Sequence, residues 1–396
     1  MVAMADPSLG LVMILKNESQ NLGRSLAPVA DLFDEVVVVD TGSADATAEI
    51  CAGLGARVFD FTWQDDFAAA RNYSIEMARS DWLFWLDGDN AVSREAVVAL
   101  RRALPEKGPA VLWGLEQVES TGGRLWQKRC FANHPKARFR GRVHEQLVHP
   151  PDWPGLPTSL VIRHWGYDDP QKVRQKGEYY LGLLELMLKD QPEDFYARFQ
   201  AARCLINLRR FDEALTALRR FANQKQAARK NPQLWAHGHF LLAQCLKRLG
   251  RRGDALKVLE DFNRETPGNA LGLFHQGRLL YEMGDYPQAA FFLGESLQKK
   301  LDAPVVDLDP VATLFQASFF LAKSLVKLGR AKDALPHFAC ALNLMPQNTH
   351  ARTEMAQALS DQGRVETAIR ELKKVLAFRP QDRRAQAMLR EMGVAA

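Results

Sequence analysis

The chain reads as two architectures in series: an α/β domain built on a mainly parallel sheet, then an all-α solenoid of helical hairpins. Three features carry this. Short apolar runs alternate with helical segments as far as Asn90, helices alone follow from about Pro170, and a Gly placed five residues before a small Ala recurs through the rest. Strands alternating with crossover helices build parallel sheets, and a repeated helical unit that cannot bury its apolar face alone must stack on its neighbours.

The elements follow in order. Residues 1–10 read as a flexible start, Leu11 to Leu15 (LVMIL) as a buried strand, and Asn21 to Leu32 as a helix. Glu35 to Val39 is a Val-rich strand ending at Asp40, and the turn Thr41-Gly42-Ser43 leads into a helix capped by Ser43 or Asp45 and running to about Leu54. Arg57 to Phe61 reads as a third strand and Phe67 to Ala78 as a helix. The run from Trp82 is a fourth strand that opens into Asp87-Gly88-Asp89-Asn90.

In an open α/β sheet, ligands bind beyond the carboxyl ends of the strands, so Asn17, Glu18, Asp40, Asp87 and Asp89 are expected around one crevice. Each also has a plainer role open to it. Asn17 and Glu18 can start a loop, Asp40 can hold its own turn, and a D-x-D pair can be a polar strand end. Two carboxylates one residue apart nonetheless suit Mg²⁺ or Mn²⁺, hard ions that take one or two protein carboxylates and complete their shell with phosphate and water. Arg71, one turn into its helix, is either a solvated cation or a partner for a diphosphate.

The second half is helical. Residues 170–192 form a connecting helix broken by Asp190-Gln191-Pro192, and residues 193–396 carry the repeats. Gly250 and Ala255, Gly284 and Ala289, Gly329 and Ala334, and Gly363 and Ala368 mark four hairpins, and Arg209 with Ala214 marks a fifth that lacks its Gly. The spacings from Ala255 to Ala289 and from Ala334 to Ala368 are each 34 residues, a tetratricopeptide-like period. Gly serves the turn within each hairpin, Ala permits close helix approach, and Pro267, Pro346 and Pro380 end second helices. Arg383 to Met392 reads as a capping helix.

Composition excludes several classes. A chain of 396 residues with 47% hydrophobic and 25% charged side chains is ordinary globular material, long enough for two domains. A net charge of +5 with intermixed acids gives no support for nucleic-acid binding. No apolar run approaches a membrane span and Met1 to Gly10 lacks signal-peptide character, so a cytoplasmic location is expected. The five cysteines, Cys51, Cys130, Cys204, Cys245 and Cys340, include no C-x-x-C pair and read as reduced packing residues.

The blocks LVMILKNES, VVVVDTGSADAT, DDFAAARNYSIEMA and WLFWLDGDN resemble, in that order, the nucleotide-sugar-binding half of family 2 glycosyltransferases. FRGRVHEQL and RHWGYDDPQKV extend the resemblance to the branch that joins this domain to tetratricopeptide repeats, as in peptide S-glycosyltransferases. The resemblance implies a GT-A fold with a mixed sheet over residues 11–169. It also implies transfer from a nucleoside diphosphate sugar, with a UDP-sugar the first expectation, and a protein, peptide or glycan acceptor met partly by the repeats. Asp40, Arg71 and Glu18 would lie near the nucleotide, Asp87 near the ribose and Asp89 on the metal. One position departs: the branch usually carries D-A-D-E where this chain has Asp87-Gly88-Asp89-Asn90, which either reshapes the loop or weakens the ion site.

Displacing a nucleoside diphosphate from an anomeric carbon requires charge stabilisation at the phosphates and, for inversion, a base on the opposite side. Glu145 is the candidate base, with Asp168 and Asp169 in reserve. His164 and His144 are candidate additional metal ligands, and an imidazole ligand would favour Mn²⁺. A homodimer through the repeats is a further expectation. The competing class is a non-catalytic scaffold whose nucleotide pocket has lost turnover.

Overall fold

The computed structural model describes residues 6–119, 123–165, 170–224, 229, 231–300 and 310–394. It divides into two units, Met1–Arg210 and Phe211–Ala396.

In the first unit, β1 (Leu9–Leu15), β2 (Glu35–Asp40), β3 (Arg57–Asp60) and β4 (Trp82–Trp85) run parallel. Further strands turn the sheet mixed: β5 (Asn90–Val92), β6 (Val111–Val118), β7 (Arg124–Ala132) and β10 (Gly155–His164) complete the order β3-β2-β1-β4-β7-β6-β10-β5. A separate ribbon pairs β8 (Arg138–Arg140) with β9 (Gln146–Val148). The order reverses between β1 and β4, which opens a crevice beyond their carboxyl ends.

Strand alternation divides the core between two faces. Leu11, Met13, Val36, Val38, Trp82 and Phe84 point to one side, with α4 (Arg94–Arg102) supplying Val97 and Leu100. Val12, Val37, Leu83 and Phe131 point to the other, against α3 (Phe67–Met77) and the ribbon's Phe139 and Leu147.

Two expected elements differ. The chain is already in β1 at Leu9, which is fully buried, so the ordered domain starts before Leu11. The single helix expected over Asn21 to Leu32 is instead α1 (Leu22–Ser25) and a 3-10 turn at Ala30–Leu32, separated by the stretch around Pro28. The next helix, α2 (Thr47–Gly53), starts at Ala46 without a side-chain cap, and Asp45 instead accepts from Thr47 N and Oγ1. After the sheet come α5 (Pro170–Asp190), the expected connector, and α6 (Phe195–Asn207).

The second unit holds helical hairpins from α7 (Phe211–Ala222) to the capping helix Arg383–Glu391, which buries Ala385, Met388 and Leu389. Gly250, Gly284, Gly329 and Gly363 adopt φ of 77°, 89°, 74° and 73°, and Arg209, at the aligned position without Gly, adopts 61°. Ala214, Ala255, Ala289, Ala334 and Ala368 are fully buried. After Pro267, Pro346 and Pro380, the side chains of Asn269, Asn348 and Asp382 cap the following helices by accepting from Gly272 N, Ala351 N and Ala385 N. Four cysteines are buried as expected, but Cys340 is exposed because it falls on the outer face of Ala331–Leu344. Among the described residues no helix is long and apolar enough to cross a membrane.

The repeat turns lead to a paired prediction. Arg209→Gly relieves a left-handed residue whose side chain is exposed and should stabilise the chain by up to ~1 kcal/mol, whereas Gly284→Ala should cost about 1–2 kcal/mol. Urea midpoints followed by far-UV circular dichroism should move in opposite directions.

Candidate active site

Alternation along β4 turns Trp85 toward the face covered by α3 and the ribbon, and the chemistry gathers around its indole. Arg71 reaches it from α3, whose start is fixed by Asp66 accepting from Ala69 N at 2.9 Å. Arg129 reaches it from β7. The two guanidinium carbons lie 4.2 and 3.8 Å from the Trp85 ring. Indole faces stabilise cations most when water is excluded, and the Arg71 and Arg129 side chains are only 8% and 1% exposed.

Carboxylates complete the group. Arg71 Nη2 donates to Asp87 Oδ1 at 2.7 Å and its Nε to Glu145 Oε1 at 2.5 Å. Arg129 donates to Glu116 and places Nη1 3.8 Å from Asp87 Oδ2. Burial would push the Asp87 carboxyl up, but Arg71 and Arg129, helped by Lys176, hold it below the usual carboxylate range. Burial pulls Arg71 down, but the charges of Asp87 and Glu145 outweigh it and leave its pKa raised. For Arg129 burial wins over Glu116 and Asp87, so its pKa is lowered.

At the mouth, Gly88 lets the Glu18 side chain lie on the loop: a Cβ there would fall 2.6 Å from Glu18 Cγ. Burial raises the Glu18 pKa against a hydrogen bond from Asn21, and the charges of Asp89 and Asp87 add to the rise. Asn90 is 1% exposed and sits opposite His164 in the β5–β10 pairing. Its amide lies 2.8 Å from His164 Nδ1 and 3.3 Å from Asp89 Oδ1, and Asp89 Oδ1 is 3.5 Å from the same imidazole nitrogen. Burial opposes charging of His164, but Asp89 outweighs it and leaves the imidazole raised.

Residues 11–156 match the family model described as Glycosyl transferase family 2, and residues 196–224 and 325–392 match models described as Tetratricopeptide repeat. The N-terminal domain belongs to glycosyl transferase family 2. A TPR repeat-containing protein of Synechococcus elongatus is 37% identical over 207 residues, covering 49% of this chain and 51% of that protein. The SPbeta prophage-derived glycosyltransferase SunS of Bacillus subtilis is 29% identical over 229 residues, covering 55% of this chain and 54% of that protein. The chain thus spans about half the length of these relatives. Among solved structures, YrrB, described as a TPR protein with an unusual peptide-binding site, is 16% identical with a TM-score of 0.39, covering 52% of this chain and 97% of that one.

Within this family 2 domain, the expected residues separate into two groups. Glu18, Arg71, Asp87, Asp89, Glu145 and His164 adjoin the crevice. Asn17 does not present its side chain to a ligand: its Oδ1 accepts from Ala44 N at 2.8 Å and its N–H donates to Ser43 Oγ, so it staples the loop after β2. Asp40 Oδ1 is likewise taken by Gly42 N and Ser43 N, the turn-holding role. Arg71 is expected at a diphosphate but is enclosed by two carboxylates and an indole. His144 is expected on the metal, yet its ring packs edge-on against Tyr180 of α5 at 5.7 Å. Among the described residues no three His, Cys, Asp or Glu side chains form a metal cluster. Asp168 and Asp169 lie outside the described residues.

Sequence reasoning missed Trp85, Glu116, Arg129 and Lys176. The available signal was Arg129 itself, an arginine inside a strand that continues CysPheAla in KRCFA.

Arg129→Met would strand Glu116 and should destabilise the domain by about 3–5 kcal/mol, with Glu116→Gln restoring part of the loss in thermal unfolding. Asp87 has a lower pKa folded than unfolded, so its ion pairs stabilise fully above ~pH 4 and are lost as pH falls through the folded value. Asp87→Asn should therefore flatten the acid limb of the stability profile.

Proposed function

We propose that the chain is an inverting glycosyltransferase that moves a sugar from a nucleoside diphosphate sugar to a protein, peptide or glycan acceptor, with a divalent ion at the donor. The observation that carries this reading is that one buried guanidinium, Arg71, holds both Asp87 on the donor side and Glu145. The residue proposed as base is thereby fixed relative to the residues proposed to hold the nucleotide.

Glu145 engages Arg71 through Oε1, and among the described residues its Oε2 takes no hydrogen bond. In the proposed step Oε2 receives the proton of the acceptor nucleophile as that atom bonds the anomeric carbon. The bond from that carbon to the phosphate oxygen breaks, and its electron pair leaves with the nucleoside diphosphate.

Asp89 and His164 fit a shared ion. Their nearest atoms are 3.5 Å apart, close to the ~3 Å separating adjacent ligands of an octahedral ion, and the Asn90 amide meets Nδ1 as a donor, which matches an unprotonated nitrogen there. When bound, the ion would neutralise charge on the leaving diphosphate. An imidazole in the shell favours Mn²⁺ over Mg²⁺.

The scaffold alternative rested on Gly88 and Asn90. Both have constructive roles: Gly88 makes room for Glu18, and Asn90 orders His164 and Asp89. The repeats suit recognition of an extended acceptor, and the resemblance to the SunS branch makes a peptide the first acceptor to try.

Thermal unfolding against UDP, GDP, CDP and dTDP, with Mn²⁺ and with chelator, should show one nucleotide stabilising only with metal, and Asp89→Ala should abolish the shift. At a hundred times its dissociation constant a ligand stabilises by roughly 2.7 kcal/mol. Glu145→Gln should keep that shift while lowering turnover about 10²- to 10⁴-fold. If no nucleotide stabilises the wild type, the scaffold reading takes over. If His164→Ala leaves metal preference unchanged, the imidazole is not a ligand.

A further inference from the structure

Arg71 is closed off by Asp87, Glu145 and Trp85, and Arg129 lies 1% exposed beneath Asp87. Neither guanidinium is placed to meet a phosphate, while Glu18, Asp87 and Asp89 crowd negative charge at the mouth. A diphosphate entering there needs a cation from elsewhere.

Helix α5 brings one. It begins at Pro170, beyond the family match that ends at residue 156, and its first half is fastened to the catalytic domain. Tyr179 Oη donates to Asp65 Oδ1 at 2.6 Å and accepts from Trp63 Nε1 at 2.8 Å. Tyr180 packs edge-on against Phe67 of α3 and against His144, the neighbour of Glu145, at 5.8 and 5.7 Å. One turn earlier, the exposed Lys176 ammonium lies 5.8 Å from the Tyr180 ring and close enough for its charge to act on both Glu18 and Asp87.

We propose that Lys176 binds the diphosphate of the donor, making α5 a wall of the catalytic pocket. This rests on the glycosyltransferase reading above. It assigns to the connecting helix a ligand contact in addition to its linking role. A lysine suits the task because its flexible stem can follow the phosphates as the bond to the sugar breaks.

The test is calorimetric titration of the full chain, with Mn²⁺, by UDP, GDP, CDP and dTDP and by the corresponding nucleosides. Wild type, Lys176→Ala, Lys176→Arg and, as a control in the last turn of the same helix, Lys189→Ala would be compared. For the diphosphate that wild type binds, Lys176→Ala should weaken affinity about ten- to a hundredfold, the size of a lost hydrogen bond to a charged group. Nucleoside affinity should hold, Lys176→Arg should recover most of the loss, and Lys189→Ala should match wild type. Unchanged diphosphate affinity in Lys176→Ala overturns the proposal, as does equal loss of diphosphate and nucleoside. Absence of diphosphate binding by the wild type overturns the parent reading and this proposal together, a result distinguishable from either of those.

Discussion

The catalytic domain depends on Asp87 being shared by two arginines that lie on opposite faces of Trp85. Two buried cations within one indole's reach repel each other and lose hydration. They are tolerable because Asp87 bridges them and Glu145 and Glu116 each neutralise one outer side. The group joins β4, β7, β6, α3 and the ribbon loop that carries Glu145. Its geometry therefore transmits sheet packing directly to the site, and changing any one charge leaves another uncompensated.

This arrangement explains which residues sequence could identify. Glu18, Asp87 and Asp89 follow parallel strands at the reversal point of the sheet, so their convergence is a consequence of topology that apolar runs make visible. Asn17 and Asp40 sit at equally suggestive strand ends, yet their oxygens are consumed by backbone N–H groups of the β2–α2 loop. A residue type and a strand end do not reveal whether a nearby loop needs an acceptor. Arg129, Glu116 and Trp85 were illegible for another reason: their partners come from antiparallel strands distant in sequence, and nothing local records which arginine faces which acid.

The repeats were legible to the level of single backbone angles, because the demand there is local. A left-handed residue between paired helices selects Gly, and four glycines adopt it. Arg209 is the informative exception: the hairpin keeps the angle without the glycine, and the fully buried Ala214 keeps the close helix contact. By contrast, the helix expected over Asn21 to Leu32 failed because Pro28 and the tertiary path around it interrupted an otherwise helical pattern.

Arg209 belongs to a set of four non-glycine residues with positive φ among the described residues, and the other three stand at the crevice. Each directly precedes a residue the site uses: Asn17 before Glu18, Asp65 before the cap Asp66, and His144 before Glu145. Left-handed backbone costs an L-residue about 1–2 kcal/mol, so it persists only where neighbouring contacts hold it. Asn17 is held by Ser43 and Ala44, Asp65 by Trp63 and Tyr179, and His144 by Tyr180. Two of those three restraints come from α5. The connecting helix thus keeps two strained turns in place, one at the start of α3, from which Arg71 extends, and one beside Glu145, and the crevice geometry extends past the strands that form its floor.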